Sequence, residues 1–311
     1  MSGYQALRQA AAWIDLSSRG KIRVTGDDRA RLLHAMSTNS VKDLPEGGGV
    51  YLFFLNEKGR IQADAYLYNF GDDMLLDTEP ETAEKVRAHL DRYIIADDVD
   101  LNDETNSWAA IGLEGPASVE TATELGICVP ENKYGVQEWG SGFVTRAAGS
   151  GTDGLRIFVP AAEKEKLVQH LQGAGIPEAS AADARTVRIE NGTPRYGEEI
   201  TDRFLVQETQ ALHAVHFNKG CYLGQEIVER VRSRGQVHRL LTPVRIEGST
   251  VPEPGTKLSA GGADVAEIVS AAYSPEIGHV VALAYVRTEA VHNRPEMKVS
   301  GVEPPVPARI A

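Results

Sequence analysis

The hydrophobic pattern of the chain changes near Arg239, and this change limits the folds that are possible. Beyond it, short apolar runs such as 240–246 and 280–286 alternate with turns rich in proline and glycine, without helical periodicity. That spacing is typical of a small all-β domain. Before it, strand and helix patterns mix without strict alternation, which favours an α+β fold with antiparallel sheets over a doubly wound fold. The sequence therefore predicts two regions, residues 1–239 and 240–311.

Local patterns predict the main elements of the first region. Alternating or continuous apolar residues predict strands at 21–25, 50–55 and 60–70. Pro80 lies where a helix should begin, and acidic residues in the following turns support a helix that runs to about Tyr93.

Charge and composition exclude several classes of protein. The 32 basic and 44 acidic side chains give a net charge of −12, which argues against direct nucleic-acid binding driven by counterion release. Cys128 and Cys221 make no disulfide framework, and no apolar run approaches the roughly 20 residues of a membrane span. The N-terminus also lacks the pattern of a signal peptide. We therefore expect a cytoplasmic protein with no membrane partner.

Cys221 is the strongest candidate for a reactive group. The pattern from Leu223 onward predicts a helix that ends near Gly235, which places the thiol at or just before a helix N-terminus. Unpaired N–H groups at such an end, together with the charge of Lys219, stabilise a thiolate and raise its reactivity. A lone cysteine is as often a small buried residue, so the residues alone leave both interpretations open.

The octet around this cysteine resembles the hallmark of a known family. It reads Lys219-Gly220-Cys221-Tyr222-Leu223-Gly224-Gln225-Glu226 and is similar to the K-G-C-Y-x-G-Q-E run of the YgfZ family, bacterial relatives of the glycine-cleavage T-protein. Further similar stretches lie at 55–61, 188–192, 196–199 and 270–286. The resemblance implies a T-protein-like fold, in which two intertwined α+β lobes and a small C-terminal β-barrel surround a central channel that binds folate.

The resemblance also implies roles for single residues of the channel. Asp64 occupies the position of an Asp that acts on the reacting end of the folate, Glu190 matches a Glu that binds the pterin, and Tyr51 matches a channel tyrosine. One carboxylate can accept both an N–H and an amino group of a pterin, and Asp64 could hold or move a proton near N5 or N10. We further expect Tyr222 and Arg239 to contact the folate.

Two positions depart from the T-protein pattern. A second pterin-binding Glu of T-proteins is replaced by Thr152, and we expect the neighbouring Asp153 to take its place. Cys221 stands where T-proteins have Asp. The resemblance thus implies a folate channel with an altered site of methylene transfer, whose chemistry we expect Cys221, Lys219 and Asp64 to carry.

The resemblance favours a factor that binds tetrahydrofolate and supports the assembly or repair of iron–sulfur proteins, with a link to tRNA modification. Its partners would be folate and iron–sulfur client or assembly proteins, and Cys221 would transiently ligate iron or sulfur or form a mixed disulfide. One alternative is a folate-dependent aminomethyltransferase or demethylase centred on Asp64. Another is a thiol-redox protein that uses no folate. No permanent metal site is expected, because His213, His216 and Cys221 lack a fourth ligand at a recognisable spacing.

Overall fold

The protein is described by a computed structural model that covers residues 1–235 and 237–311. Within those ranges the strands are β1 (Ala12–Asp15), β2 (Gly20–Thr25), β3 (Gly49–Leu55), β4 (Ile61–Asn69), β5 (Met74–Thr78), β6 (Asp100–Asp103), β7 (Trp108–Glu114), β8 (Val136–Trp139), β9 (Gly142–Thr145), β10 (Gly154–Pro160), β11 (Arg239–Ile246), β12 (Lys257–Ala260), β13 (Ala263–Ser274), β14 (His279–Arg287), β15 (Met297–Val299) and β16 (Pro307–Ile310). The helices are α1 (Gly3–Gln9), α2 (Arg29–Met36), α3 (Ala83–Asp91), α4 (Ser118–Glu124), α5 (Lys164–Gly173), α6 (Ala181–Glu190), α7 (Gln225–Arg234) and α8 (Thr288–Asn293).

The first sheet is antiparallel, with the strand order β3-β4-β5-β2-β6. Successive side chains of a strand point to opposite faces, and β4 follows this rule closely. Ala63, Ala65 and Leu67 pack into a core that also contains residues of α2 and α3. Asp64 and Tyr66 therefore point to the other face, away from these helices.

The second sheet has the order β1-β7-β10-β9-β8, and one of its faces packs on the first sheet. Its outer face carries apolar residues that pack against α4 and α5. Its inner face contributes Phe143 and Phe158, which pack with Tyr68 of β4 and Leu75 of β5. The two lobes thus form a helix–sheet–sheet–helix arrangement, in which the inner faces of both sheets can present side chains to a shared space.

The C-terminal strands close into a barrel with the order β11-β14-β13-β12-β15-β16. Alternation along β14 sends Val280 and Ala282 into the barrel interior. It sends Leu283 and Tyr285 outward, where they pack with Ile189 of α6. The outer surface of the barrel therefore packs against α6, the helix that also borders the space between the two sheets.

The predicted fold class is confirmed: two α+β lobes are joined to a small β-barrel. Local boundaries differ where a turn precedes a helix. The segment after Pro80 begins with a 3₁₀ turn at Pro80–Thr82, and only then does α3 begin. Likewise α7 begins at Gln225 with Gly224 as its N-cap, two residues later than the pattern from Leu223 predicts. Among the residues covered, no helix combines the length and the apolar character that a membrane crossing needs.

Candidate functional site

A cavity of about 410 Å³ lies between the two sheets and α6. This volume falls in the range of roughly 300–1,000 Å³ that is typical of small-molecule sites. Tyr51 of β3 and Asp64 and Tyr66 of β4 form one wall, while Arg185 and Arg188 of α6 form another. The inner face of the first sheet therefore places a carboxyl group and two phenols at the cavity.

Asp64 has the features of an acid–base group. Its side chain is buried in the cavity wall, and the Tyr51 hydroxyl donates a 2.7 Å hydrogen bond to its Oδ2. Its Oδ1 is buried without a hydrogen-bond partner among the residues that the structure describes. Burial, and then the negative charge of Glu79, raise the pKa of Asp64 to about 7. A carboxyl group with such a pKa can both give and accept a proton at neutral pH.

A ladder of alternating charges lies beside Asp64 on the same face of the sheet. Asp77 accepts hydrogen bonds from Arg156 and, at 2.6 Å, from Nε of Arg19. Glu79 accepts from Arg19 and, at 2.9 Å, from Nε of Arg195. Burial opposes the ionisation of both carboxyl groups, but these guanidinium groups lower the pKa of Asp77 and of Glu79. The ladder is therefore composed of fixed charges, which makes the environment of Asp64 pre-organised.

Aromatic rings line or flank the same wall. The ring of His213 stacks on Tyr51 with 5.4 Å between centroids, and Tyr134 packs on Tyr66 at 5.6 Å. The Arg156 guanidinium lies 4.1 Å from the centroid of the Tyr66 ring. Flat aromatic and guanidinium surfaces of this kind suit a planar ligand that also carries polar groups.

Of the residues predicted from the sequence to form the site, Tyr51 and Asp64 line the cavity, whereas Glu190 does not. The carboxylate of Glu190 accepts a hydrogen bond from Arg8 and one of 2.5 Å from the Tyr4 hydroxyl, and its side chain is only 1% exposed. Glu190 thus anchors α1 to the end of α6. Its predicted contact with a pterin would require these contacts to open, and it stays a prediction.

Three other predicted folate contacts also lie outside the cavity lining. Asp153 is exposed and pairs with Arg146 at 3.0 Å. Arg239 donates to Glu208 at 2.8 Å. The ring of Tyr222 is buried, and its hydroxyl has no partner within the described part of the chain. Their roles toward folate stay predictions.

The octet that contains Cys221 is anchored by several contacts to the first lobe. The ammonium of Lys219 donates to three backbone oxygens at 2.5–2.6 Å, those of His34, Ser37 and Asn39, at the C-terminal end of α2. Gly224 has φ = 82°, and a Cβ there would come within 2.7 Å of the Asn56 oxygen. Burial lowers the pKa of Lys219 to about 7, while the three carbonyls and the helix end favour its charged form.

Cys221 is exposed, in contrast to the residues that hold its loop. It lies four residues before Gln225, the first residue of α7, and is not among the residues that line the cavity. The thiol is therefore presented to solvent from a fixed loop and not at the helix end itself. Within residues 1–235 and 237–311, no three His, Cys, Asp or Glu side chains are grouped so that they could hold a metal ion.

The charged ladder was not anticipated from the sequence, although part of its signal is visible there. Asp77 and Glu79 are two residues apart at the end of a strand, so the period of two places them on one face. Their partners come from distant segments: Arg19 precedes β2, Arg156 lies on β10, and Arg195 follows α6. The pairing of β2 with β5 brings Arg19 to these carboxylates, the packing of the two sheets brings Arg156, and the segment after α6 brings Arg195.

Two facing antiparallel sheets, joined to a closed barrel beside a cavity with a buried acid, define the architecture. The same fold is found in the crystal structure of the glycine cleavage system aminomethyltransferase T from Bartonella henselae, with a TM-score of 0.90 and 19% identity over 99% of this chain and 87% of that one. The family model described as GCVT N-terminal domain matches residues 2–219, and that described as glycine cleavage T-protein C-terminal barrel domain matches residues 239–311. The chain belongs to the glycine cleavage T-protein family.

Curated relatives support this assignment. The aminomethyltransferase of Rubrobacter xylanophilus is 30% identical over 99% of this chain and 83% of its own length. The aminomethyltransferase of Thermosynechococcus vestitus is 27% identical over 98% of this chain and 84% of its own length. A putative chloroplastic transferase of Arabidopsis thaliana is 28% identical over 89% of this chain and 65% of its own length.

Proposed function

We propose that this protein binds a tetrahydrofolate in the central cavity and transfers a one-carbon group, with Asp64 as the residue that moves the proton. The observation that carries the proposal is the buried Oδ1 of Asp64, which lacks a partner among the described residues and borders the cavity. The relatives named aminomethyltransferase support the same class of reaction.

The chemistry of the cavity fits this role. Tetrahydrofolate, when bound, supplies the two nitrogens that take up the one-carbon unit. Two new bonds from the carbon to the folate nitrogens replace its bonds to the donor's amine and to the donor atom that carried it. The two nitrogens lose one proton each and the two leaving groups gain one each, so a group that both gives and accepts a proton can serve the exchange. Asp64 can fill this role because its pKa is about 7. The Tyr51 hydroxyl holds Oδ2, which leaves Oδ1 for the substrate.

The test is an assay for methylenetetrahydrofolate formed from an aminomethyl donor. Loss of a positioned acid–base group typically lowers a rate by about 10²- to 10⁴-fold, and we expect a loss of this size in Asp64→Asn. Asp72→Asn is the matched control, because Asp72 is exposed and lies outside the cavity. Full turnover in Asp64→Asn would contradict the role of Asp64. Calorimetry that detects no tetrahydrofolate binding by the wild-type protein would contradict the whole proposal and favour folate-independent thiol-redox chemistry.

A second candidate function rests on the exposed thiol of Cys221, which is held on an anchored loop. In this version the protein is a YgfZ-type factor that binds folate and supports iron–sulfur client or assembly proteins through Cys221. The test compares iron–sulfur enzyme activity under oxidative load in cells that carry Cys221→Ala or Cys128→Ala, the latter being the control at a half-buried thiol. A loss of activity in Cys221→Ala alone is expected, and equal activity in both strains would exclude the thiol role.

A further inference from the structure

The register between β4 and β5 makes Asp64 and Glu79 neighbours. Ala65 is paired with Thr78 and Tyr66 with Asp77. One step further along the two antiparallel chains, Asp64 comes opposite Glu79. Because alternate residues of a strand share a face, both carboxyl groups lie on the face of Tyr66, and both border the cavity.

Two carboxyl groups directly opposite each other on neighbouring strands do not ionise independently. Their like charges repel, so the ionisation of one group favours the protonated form of the other. The two groups here differ in their partners. Glu79 is held by guanidinium groups of Arg19 and Arg195, and both of its oxygens are occupied. Asp64 has only the Tyr51 hydroxyl, and one oxygen remains without a partner among the described residues.

We propose that Glu79 is a positioning residue: fixed as an anion by Arg19 and Arg195, it keeps the transferable proton on Asp64 until a substrate enters the cavity. The use of that proton in one-carbon transfer rests on the function proposed above, whereas its location on Asp64 does not. Asp64 accordingly enters the reaction as an acid. It gives its proton to the donor's amine as the bond between that nitrogen and the carbon breaks, and it recovers one from a folate nitrogen that forms a new bond to the carbon.

Most of the other charged groups near Asp64 already have partners. On α6, Arg185 and Arg188 pair with Glu198, and the ring of His213 stacks on Tyr51 with its pKa lowered by burial. Arg156, on the facing sheet, is committed to Asp77. On α3, the ammonium of Lys85 donates to the hydroxyl of Tyr196 at 3.1 Å. The nearby phenols stay neutral, since burial raises the pKa of Tyr51, Tyr66 and Tyr196. Glu79 is thus the group whose charge most directly opposes the ionisation of Asp64: burial and then this negative charge raise the Asp64 pKa to about 7.

The decisive experiment measures the ionisation midpoint of Asp64 in the free protein, by carbon-13 NMR of aspartate carboxyl groups with Asp64→Asn used for assignment. In Glu79→Gln the repulsion is lost while Arg19 and Arg195 keep their positive charges near Asp64, so we expect its acid dissociation constant to rise by at least about tenfold. Glu81→Gln is the matched control. Glu81 also pairs with Arg195, but its side chain is 44% exposed, and we expect less than about a twofold change.

A second variant keeps the inference testable if Glu79→Gln does not fold. Arg195 is 30% exposed, and Arg195→Gln removes a cation that favours the ionised forms of Glu79 and Asp64. The Asp64 midpoint should therefore move to higher pH. An unchanged midpoint in both variants, or a higher one in Glu79→Gln, would overturn the positioning role. Because no folate is present in this titration, failure of the turnover assay would count against the proposed function and leave the result for Glu79 intact.

Discussion

Replacing Asp64 by Asn should stabilise the folded protein at alkaline pH, although it removes the central acid of the cavity. The carboxyl group has a pKa of about 7 in the folded protein and an ordinary value of 3.8. A raised folded-state pKa contributes stability that is fully present below the ordinary value and is lost as the pH rises toward 7. The wild-type protein therefore carries the cost of an ionised, buried carboxylate above this range, and the Asn variant does not.

The size of the effect follows from the linkage relation. Each pKa unit corresponds to about 1.36 kcal/mol. The interval between 3.8 and about 7 therefore lowers the unfolding free energy of the wild-type protein, relative to a pH well below 3.8, by roughly 4 kcal/mol at pH 8 and by roughly 1.7 kcal/mol at pH 5. Between these two pH values, the wild-type protein should lose about 2–3 kcal/mol of unfolding free energy relative to Asp64→Asn.

The assay is denaturant unfolding of both proteins at pH 5 and pH 8, which gives the difference in unfolding free energy at each pH. Asp72→Asn serves as control, because Asp72 is exposed. The control should follow the wild-type protein at both pH values. Parallel behaviour of the wild-type protein and Asp64→Asn would refute the claim that this carboxyl group is held neutral by its surroundings.

Three further substitutions test other parts of the structure. Asp77→Asn should lower the unfolding free energy by about 3–5 kcal/mol, measured by denaturant unfolding, because it leaves the buried charges of Arg19 and Arg156 without their shared partner. Lys219→Met should cost about 2–3 kcal/mol, since three carbonyls at the end of α2 lose a charged donor; an unchanged stability would show that water replaces it. Cys221→Ala should change stability by less than about 0.5 kcal/mol because the side chain is exposed, and alkylation of the wild-type protein should modify Cys221 first.

The fold could be predicted from the sequence because it depends on patterns that are local or that repeat along the chain. The change of pattern near Arg239 coincides with the first residue of β11. The strand predicted at 60–70 is present, and its alternate residues lie on two different faces of the sheet. Ala63 and Ala65 pack in the core with the helices, and Asp64 lies on the cavity side. Matching the T-protein pattern then assigned Asp64 and Tyr51 to the central space, where both lie.

The orientation of single side chains on helices and loops was harder to predict. Ala181, Ala184, Arg185 and Arg188 border the cavity at the spacing of one helical face. Glu190 follows Arg188 by two residues, roughly 200° further around the helix axis, so it faces α1.

The octet shows a related limit of sequence reasoning. Its residue pattern is recognisable in the sequence. The position of the thiol, however, depends on two contacts on either side of it, from Lys219 to the end of α2 and from Gly224 to Asn56. Contacts between distant segments, such as the one from Lys219 to the end of α2, are set by tertiary packing and leave no local pattern in the sequence. The place of Cys221 was therefore predicted too close to the helix end.

The most direct test of the role of Asp64 is a crystal structure of the protein with tetrahydrofolate. We predict that the ligand occupies the space between the two sheets, with an oxygen of Asp64 within hydrogen-bond reach, roughly 2.6–3.2 Å, of N5 or N10 or of a water bound to them. Tyr51 should keep its hydrogen bond to Oδ2. A folate bound elsewhere, beside Cys221 or on the barrel, with Asp64 left without a ligand contact, would contradict the role proposed for Asp64.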